Sequence, residues 1–275
     1  MTGAASRAVL VAVLIAMPGL ILPGSAEGNT DFILLLALFA AGFVFVEYAS
    51  VSPSLVEFRD APPFNRTRFF ALFLTVLTVS LILRDVQAPS ATTGVLFGLG
   101  IGLGELMDFA YSPVRLLVVA LASGDSPESI YIIRTVAGVA FSISLASLAL
   151  FLAALRLGDW PVRSGAFNVW INLPTFDPTT GADIVDRLQG DGRLNIGMGV
   201  CLPFLLPVAL HLSEAIFGLV LTTSAQALVW IVAGWSFVPL SLLMRGIAMT
   251  RLANMIVSQR RRDAIEGPEA RIFAL

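Results

Sequence analysis

The side chains best suited to chemistry in this sequence are His211 and Glu214, which stand three apart and so share one helical face. His211 is the only histidine in the chain. An imidazole beside a carboxylate can relay protons, and an ionisable group inside a membrane segment is a functional candidate by default. The pair lies one turn beyond Pro207, in the apolar run Ile196–Leu221 that also holds Pro203 and Ser213. The plainer alternative is a satisfied pair, hydrogen-bonded to another helix or to a carbonyl that the prolines release.

Glu105 and Asp108 form a second pair at the same spacing, at the end of a glycine-rich segment. Gly94, Gly98 and Gly102 recur every fourth residue, with Gly100 and Gly104 beside them. That spacing lets another helix approach closely in lipid, so the ladder is expected to be a helix-packing seam, with oligomerisation as one use for it. The plainer alternative for the acids is a membrane edge facing water. His211, Glu214, Glu105 and Asp108 are the candidate transport or proton-relay residues. A metal would need further ligands, which these acids supply only if both helices face each other at one depth. No catalytic residue, metal or cofactor is assigned. Arg134 is expected to snorkel to headgroups or to pair with Glu128, and Glu47 and Arg68 to anchor helix ends.

Several chemistries are excluded. All seventeen basic residues are arginine, so no phosphate loop ending in Gly-Lys exists. A Ser-His-Asp triad would have to use His211. The glycines between 98 and 104 follow no strand and do not have dinucleotide-binding spacing. The acids near Gly190 and Gly192 lack the ligand pattern of a calcium loop. Cys201 stands alone in an apolar run, and no clustered basic face with aromatics suggests nucleic acid.

The elements that must position these residues follow from composition. Apolar residues make up 57% of the 275 and charged residues 13%, and the charges cluster so that long stretches carry none. Mean hydropathy is +0.87. A spanning helix needs about 20 mostly apolar residues. Candidate spans are Ala8–Leu22, Asp31–Glu47, Phe69–Leu83, a Gly-rich stretch from Thr92 to Asp108, Ile130–Leu155, Ile196–Leu221 and Ala225–Met244. Ala8–Leu22 also fits a signal peptide, though a retained helix is preferred. Val114–Ala122 is too short to cross. Ser126-Pro127-Glu128 is a strong helix start. The expected architecture is all-α: a single polytopic membrane domain over 1–275, with about 6–8 transmembrane segments and one broken or re-entrant helix.

Topology meets a parity conflict. Arg59, Arg66 and Arg68 place the loop 48–68 on the cytoplasmic side, and the arginines of the 246–275 tail do the same there. Five apolar segments lie between them, and an odd number of crossings cannot return the tail to the same side. Either the proline-bearing helix Ile196–Leu221 turns back, the preferred site of the break, or Val114–Ala122 pairs with the Gly-rich segment as a half-helix. The polar segment 156–195, with Trp160 and Trp170, is then expected to be extracytoplasmic.

Three readings of function follow. One is a transporter or channel with a polar site on the proline-broken helix. Another is a non-catalytic subunit or assembly factor of a larger membrane complex, homo-oligomeric or mixed. The third is a membrane enzyme in which His211, Glu214, Glu105 and Asp108 converge. Location in a bacterial inner membrane, with lipid as the immediate partner and no nucleic acid, is expected.

Overall fold

A computed structural model describes residues 2–23, 30–122, 126–158, 160, 172–174, 176, 183–217 and 224–266. Among the described residues the chain is helical throughout, without a strand. The helices are α1 (Thr2–Ile21), α2 (Thr30–Ala49), α3 (Phe64–Gln87), α4 (Ala91–Met107), α5 (Pro113–Leu121), α6 (Pro127–Leu157), α7 (Ile184–Phe217) and α8 (Ala225–Glu266). Six of them, all but α4 and α5, are long and apolar enough to cross a membrane. The protein is therefore a polytopic helical membrane protein, as its composition requires.

Local chemistry sets where the helices start. Ser126 accepts a hydrogen bond from the Ser129 amide at 3.3 Å, with Pro127 at the first helical position. Ser112 does the same for Arg115 at 3.0 Å, ahead of Pro113. These caps satisfy amides that a helix start leaves unpaired. Asp85 accepts from the Ser90 amide at 3.0 Å and also from the Thr93 hydroxyl, which ties the end of α3 to the start of α4.

The prolines of α7 do not break it. Pro207 has no N–H to donate to the carbonyl of Pro203, and the indole Nε1 of Trp235 donates to that oxygen instead, at 3.0 Å. With the orphaned carbonyl filled from α8, α7 runs continuously from Ile184 to Phe217. The expectation of a turn-back at Ile196–Leu221 is corrected. Glycines let α7 and α8 close against each other. A Cβ at Gly199 would meet the Pro239 carbonyl at 2.9 Å, and one at Gly246 the Ile196 amide nitrogen at 2.9 Å.

The re-entrant element is instead α4 with α5. Three contacts fix the direction of α4 along α6. The rings of Phe97 and Tyr131 are 6.2 Å apart, a Cβ on Gly100 would touch Thr135, and one on Gly138 would lie 2.8 Å from the Gly104 nitrogen. Residue numbers rise together, so α4 runs parallel to α6, entering the bundle from the end where α6 begins. It stops at Met107, level with about the middle of α6. α5 then returns towards the start of α6, packing on α6 and α7. The half-helix alternative resolves the parity conflict: six helices cross, and the α4–α5 hairpin enters and leaves by one end.

The opposite end gathers the polar loops. The Phe58 amide donates to the Asn172 carbonyl at 2.6 Å, and the Asp60 amide to the Asn172 side chain at 3.1 Å. Arg245 grips Glu57 through Nε and Nη2 at 2.6 and 2.8 Å. Arg260 holds Asp183 at 2.9 and 3.0 Å. A second core fills this end, including Phe58, Phe64, Phe151, Trp160, Leu188 and Met249. The loop 50–63, residues 172–188 and the end of α8 thus share one side of the bundle. The expectation that 156–195 lies across the membrane from the basic tail is corrected for its described residues, because the misplaced break had flipped that segment. Phe58 sits at φ 52°, unusual for a bulky residue. Its buried ring against Phe64 at 4.5 Å and its amide bond hold it there.

Candidate functional site

The ionisable residues that the fold brings together lie at the tip of the hairpin. Asp108 caps the end of α4 and accepts a hydrogen bond from Nε of Arg115, while Arg115 Nη2 donates to the Asp108 carbonyl at 3.1 Å. Arg134 approaches Glu105 and Asp108, each at 3.9 Å. Its guanidinium also lies over the Tyr131 ring at 5.3 Å. Arg134 therefore serves the hairpin acids, and the expected pairing with Glu128 is replaced. The reason is the close α4–α6 approach at Gly104 and Gly138, which presents α4's last turn to α6.

Depth makes this cluster unusual. Glu105 lies roughly 20 Å along α4 from its start, level with about the middle of α6, a helix long and apolar enough to cross a membrane. Asp108 is sheltered, with a side chain 10% exposed, but Glu105 is 61% exposed and Arg115 49%. Leu99, Leu106, Phe109 and Tyr111 are exposed on the same hairpin. Charges held at this level without cover cost at least several kcal/mol, far more than at a wet surface.

The glycine ladder divides differently from its expected use. Within the chain, Gly100 and Gly104 make the close approach to α6, whereas a Cβ on Gly98 or Gly102 would meet nothing within 4 Å. Gly94 faces the Asp85 carboxylate at 3.9 Å. Gly98 and Gly102 thus point out of the bundle, away from the contact with α6.

His211 and Glu214 sit near the far end of α7, beyond Pro207, on a face where His211 is exposed and Glu214 half-buried. The ion pairs of Glu105 and Asp108 all go to arginines. Among the described residues no group of three or more His, Cys, Asp or Glu is placed to hold a metal. A cavity of about 320 Å³ opens between α6, α7 and α8 beneath the hairpin tip, lined by Phe109, Phe141, Val200, Phe204, Trp235 and Leu243 among others. It is apolar, and none of the four ionisable candidates lines it. Cys201 is exposed beside it on α7.

Of the two arginines of the cluster, the sequence points to Arg134 but with another partner, and Arg115 was missed. It was not singled out, although the helix start at Ser112-Pro113 places it in the first turn of α5, just after the break that follows Asp108. At the other end, Glu47 receives the amides of Ser54, Leu55 and Val56 at 3.0 to 3.2 Å, which folds the loop back onto α2. Comparison with known protein families, curated proteins and solved structures found no match. What fold and site define is a class: a six-crossing helical membrane protein with a charged re-entrant hairpin.

Proposed function

We propose that this protein is a non-catalytic building block of a membrane assembly, and that the hairpin face is where a second copy docks. One observation carries the reading: Glu105 and Arg115, of opposite sign, are both exposed on a hairpin that ends at about half the depth of the bilayer. A two-fold axis beside the hairpin would set Glu105 of each copy against Arg115 of the other, covering both charges at once. Gly98 and Gly102, open on the same helix, would allow the close approach that such packing in lipid favours. The transport reading drew on a broken α7, the glycine seam and the polar residues of the membrane segments, and the continuous α7 takes away the first of these three.

Charge exchange tests it. In mild detergent the wild type should run as a dimer by mass photometry, while Glu105→Arg and Arg115→Glu should each be monomeric. Co-expressed, the two variants should recover a dimer, because each copy then offers the sign the other lacks. A monomeric wild type, or single reversals that leave the dimer intact, would overturn the reading.

The arginine-rich end faces the cytoplasm in this proposal. Arg59, Arg66, Arg68, Arg156 and the α8 arginines lie there, against Arg84, Arg115 and Arg134 at the hairpin's end.

A further inference from the structure

α5 stands between α6 and α7 and packs on both, but it begins only at Pro113. α6 and α7 each pack on α8 and, among the described residues, make no comparable contact with each other. A hairpin that stops near the middle of α6 therefore leaves the other half of its slot unfilled. The cavity of about 320 Å³ is that half. Phe109 and Pro113 of the hairpin tip roof it, and buried Trp235, Ser236 and Leu240 of α8 form its floor. Leu145 of α6 and Val200 and Phe204 of α7 line it and are exposed. Its mouth thus opens sideways, between two spanning helices, onto the surface that faces the hydrocarbon layer. A single copy of the chain is enough to form it.

The walls select the occupant. Every polar side chain that lines the slot gives its hydrogen to a backbone carbonyl. Ser144 donates to Ser236 at 3.1 Å, Ser236 to Ala233 at 3.2 Å and the Trp235 indole to Pro203 at 3.0 Å. No side-chain donor on the walls is left for water, a headgroup or a polar solute. Apolar cavities of about 150 Å³ stay dry and take up apolar molecules instead. This one is about twice that size, and left empty it would forfeit dispersion contacts along all its walls. The matching species at this depth, slender enough to pass between two helices, is the hydrocarbon chain of a lipid. We infer that the slot below the hairpin tip is a binding site for an acyl chain of a bilayer lipid, which completes the packing that the half-length hairpin leaves open.

Trp235 supplies the readout. It is buried on the floor of the slot, so bromine on a lipid chain quenches its fluorescence only if the chain enters. The full chain carries Trp230→Phe, which removes the partly exposed neighbouring indole of α8. It is reconstituted in nanodiscs of phosphatidylcholine with chains brominated near the methyl end. Its fluorescence should fall relative to the same protein in unbrominated lipid. Val200→Phe should restore part of the lost signal and Leu145→Phe/Val200→Phe most of it, because both crowd the mouth from exposed positions that the fold does not need. Leu205→Phe, exposed on α7 away from the slot, should leave the quenching unchanged. Absent quenching, or quenching that both mouth variants leave intact, would overturn the inference. Quenching seen only with Glu105→Arg added would assign the slot to a second copy and overturn it as well.

Discussion

Gly138→Ala should loosen the seat of the hairpin. A Cβ at this position would stand 2.8 Å from the Gly104 nitrogen and 2.9 Å from the Leu103 carbonyl oxygen. Both atoms are backbone, so no side-chain rotation relieves the contact and α4 itself must move outward by several tenths of an ångström. Overpacking of this kind costs about 1–3 kcal/mol. Alanine returns up to about 1 kcal/mol of helix propensity, leaving a net loss of roughly 1–2 kcal/mol. For a chain of this size that corresponds to a melting temperature lower by about 2–8 °C, measurable by tryptophan fluorescence in nanodiscs. Gly98→Ala is the internal control, since nothing lies within 4 Å of its new methyl. It should melt at or slightly above the wild type. If the two variants melt together, or the Gly98 variant melts lower, the seam has been placed on the wrong glycines.

Other outcomes follow from the same geometry. Gly98→Leu should leave the melting temperature near wild type but weaken the dimer in mild detergent; an unchanged dimer would count against hairpin docking. Glu57→Gln should destabilise by roughly 2–3 kcal/mol, because it strands Arg245, whose side chain is 27% exposed, in a partly buried site; thermal melts of Glu57→Gln and a Glu57/Arg245 double replacement would separate the pair from its surroundings. The hydrogen bond from Arg260 holds the Asp183 carboxyl below its ordinary range. Its folded value is thus depressed, so the stabilisation is present above the unfolded value of about 3.9 and is lost as pH falls through the folded one. A spin label at 261 should gain mobility as pH falls through that depressed value, and Asp183→Asn should abolish that step; mobility that is flat in pH would rule it out. Finally, in a background lacking Cys201, cysteines at 60 and 261 should resist an impermeant maleimide added outside cells, while a cysteine at 87 reacts. Labelling at 261 but not at 60 would contradict the shared end.

Helix content, the polytopic membrane class and the cap at Ser126 were legible because each rests on local composition or on residues adjacent in sequence, whereas the count of seven candidate spans was one too many. The direction of α4 was not legible. Hydropathy treats residues 92–108 as one more span, since seventeen mostly apolar residues nearly suffice to cross. What stops them is Ser112-Pro113 restarting a helix after Asp108, together with Gly104 and Gly138 meeting across a separation of more than thirty residues. Pro203 and Pro207 misled for a related reason. A proline's local effect is to free a carbonyl, and whether the helix then breaks depends on a donor arriving from elsewhere, here Trp235.

The same non-local logic reassigns the polar residues. His211 drew attention because it is rare, yet rarity says nothing about depth or neighbours. Arg134 was assigned to headgroups or Glu128 and Arg115 was passed over, although together they set the charge of the only ion cluster that the described residues place at hairpin depth. Asp108 shows how the cluster divides. Its oxygens meet both arginines and its side chain is sheltered, so it is internally neutralised. Among the described residues Glu105 has only the 3.9 Å approach of Arg134, and it faces outward. Removing the two charges should therefore have different consequences. Asp108→Asn should lower the melting temperature of the isolated chain by stranding Arg115 and Arg134. Glu105→Gln should leave that temperature nearly unchanged and reduce dimer formation instead. If Glu105→Gln destabilises the monomer as much as Asp108→Asn does, its exposed carboxylate serves the fold and not an assembly.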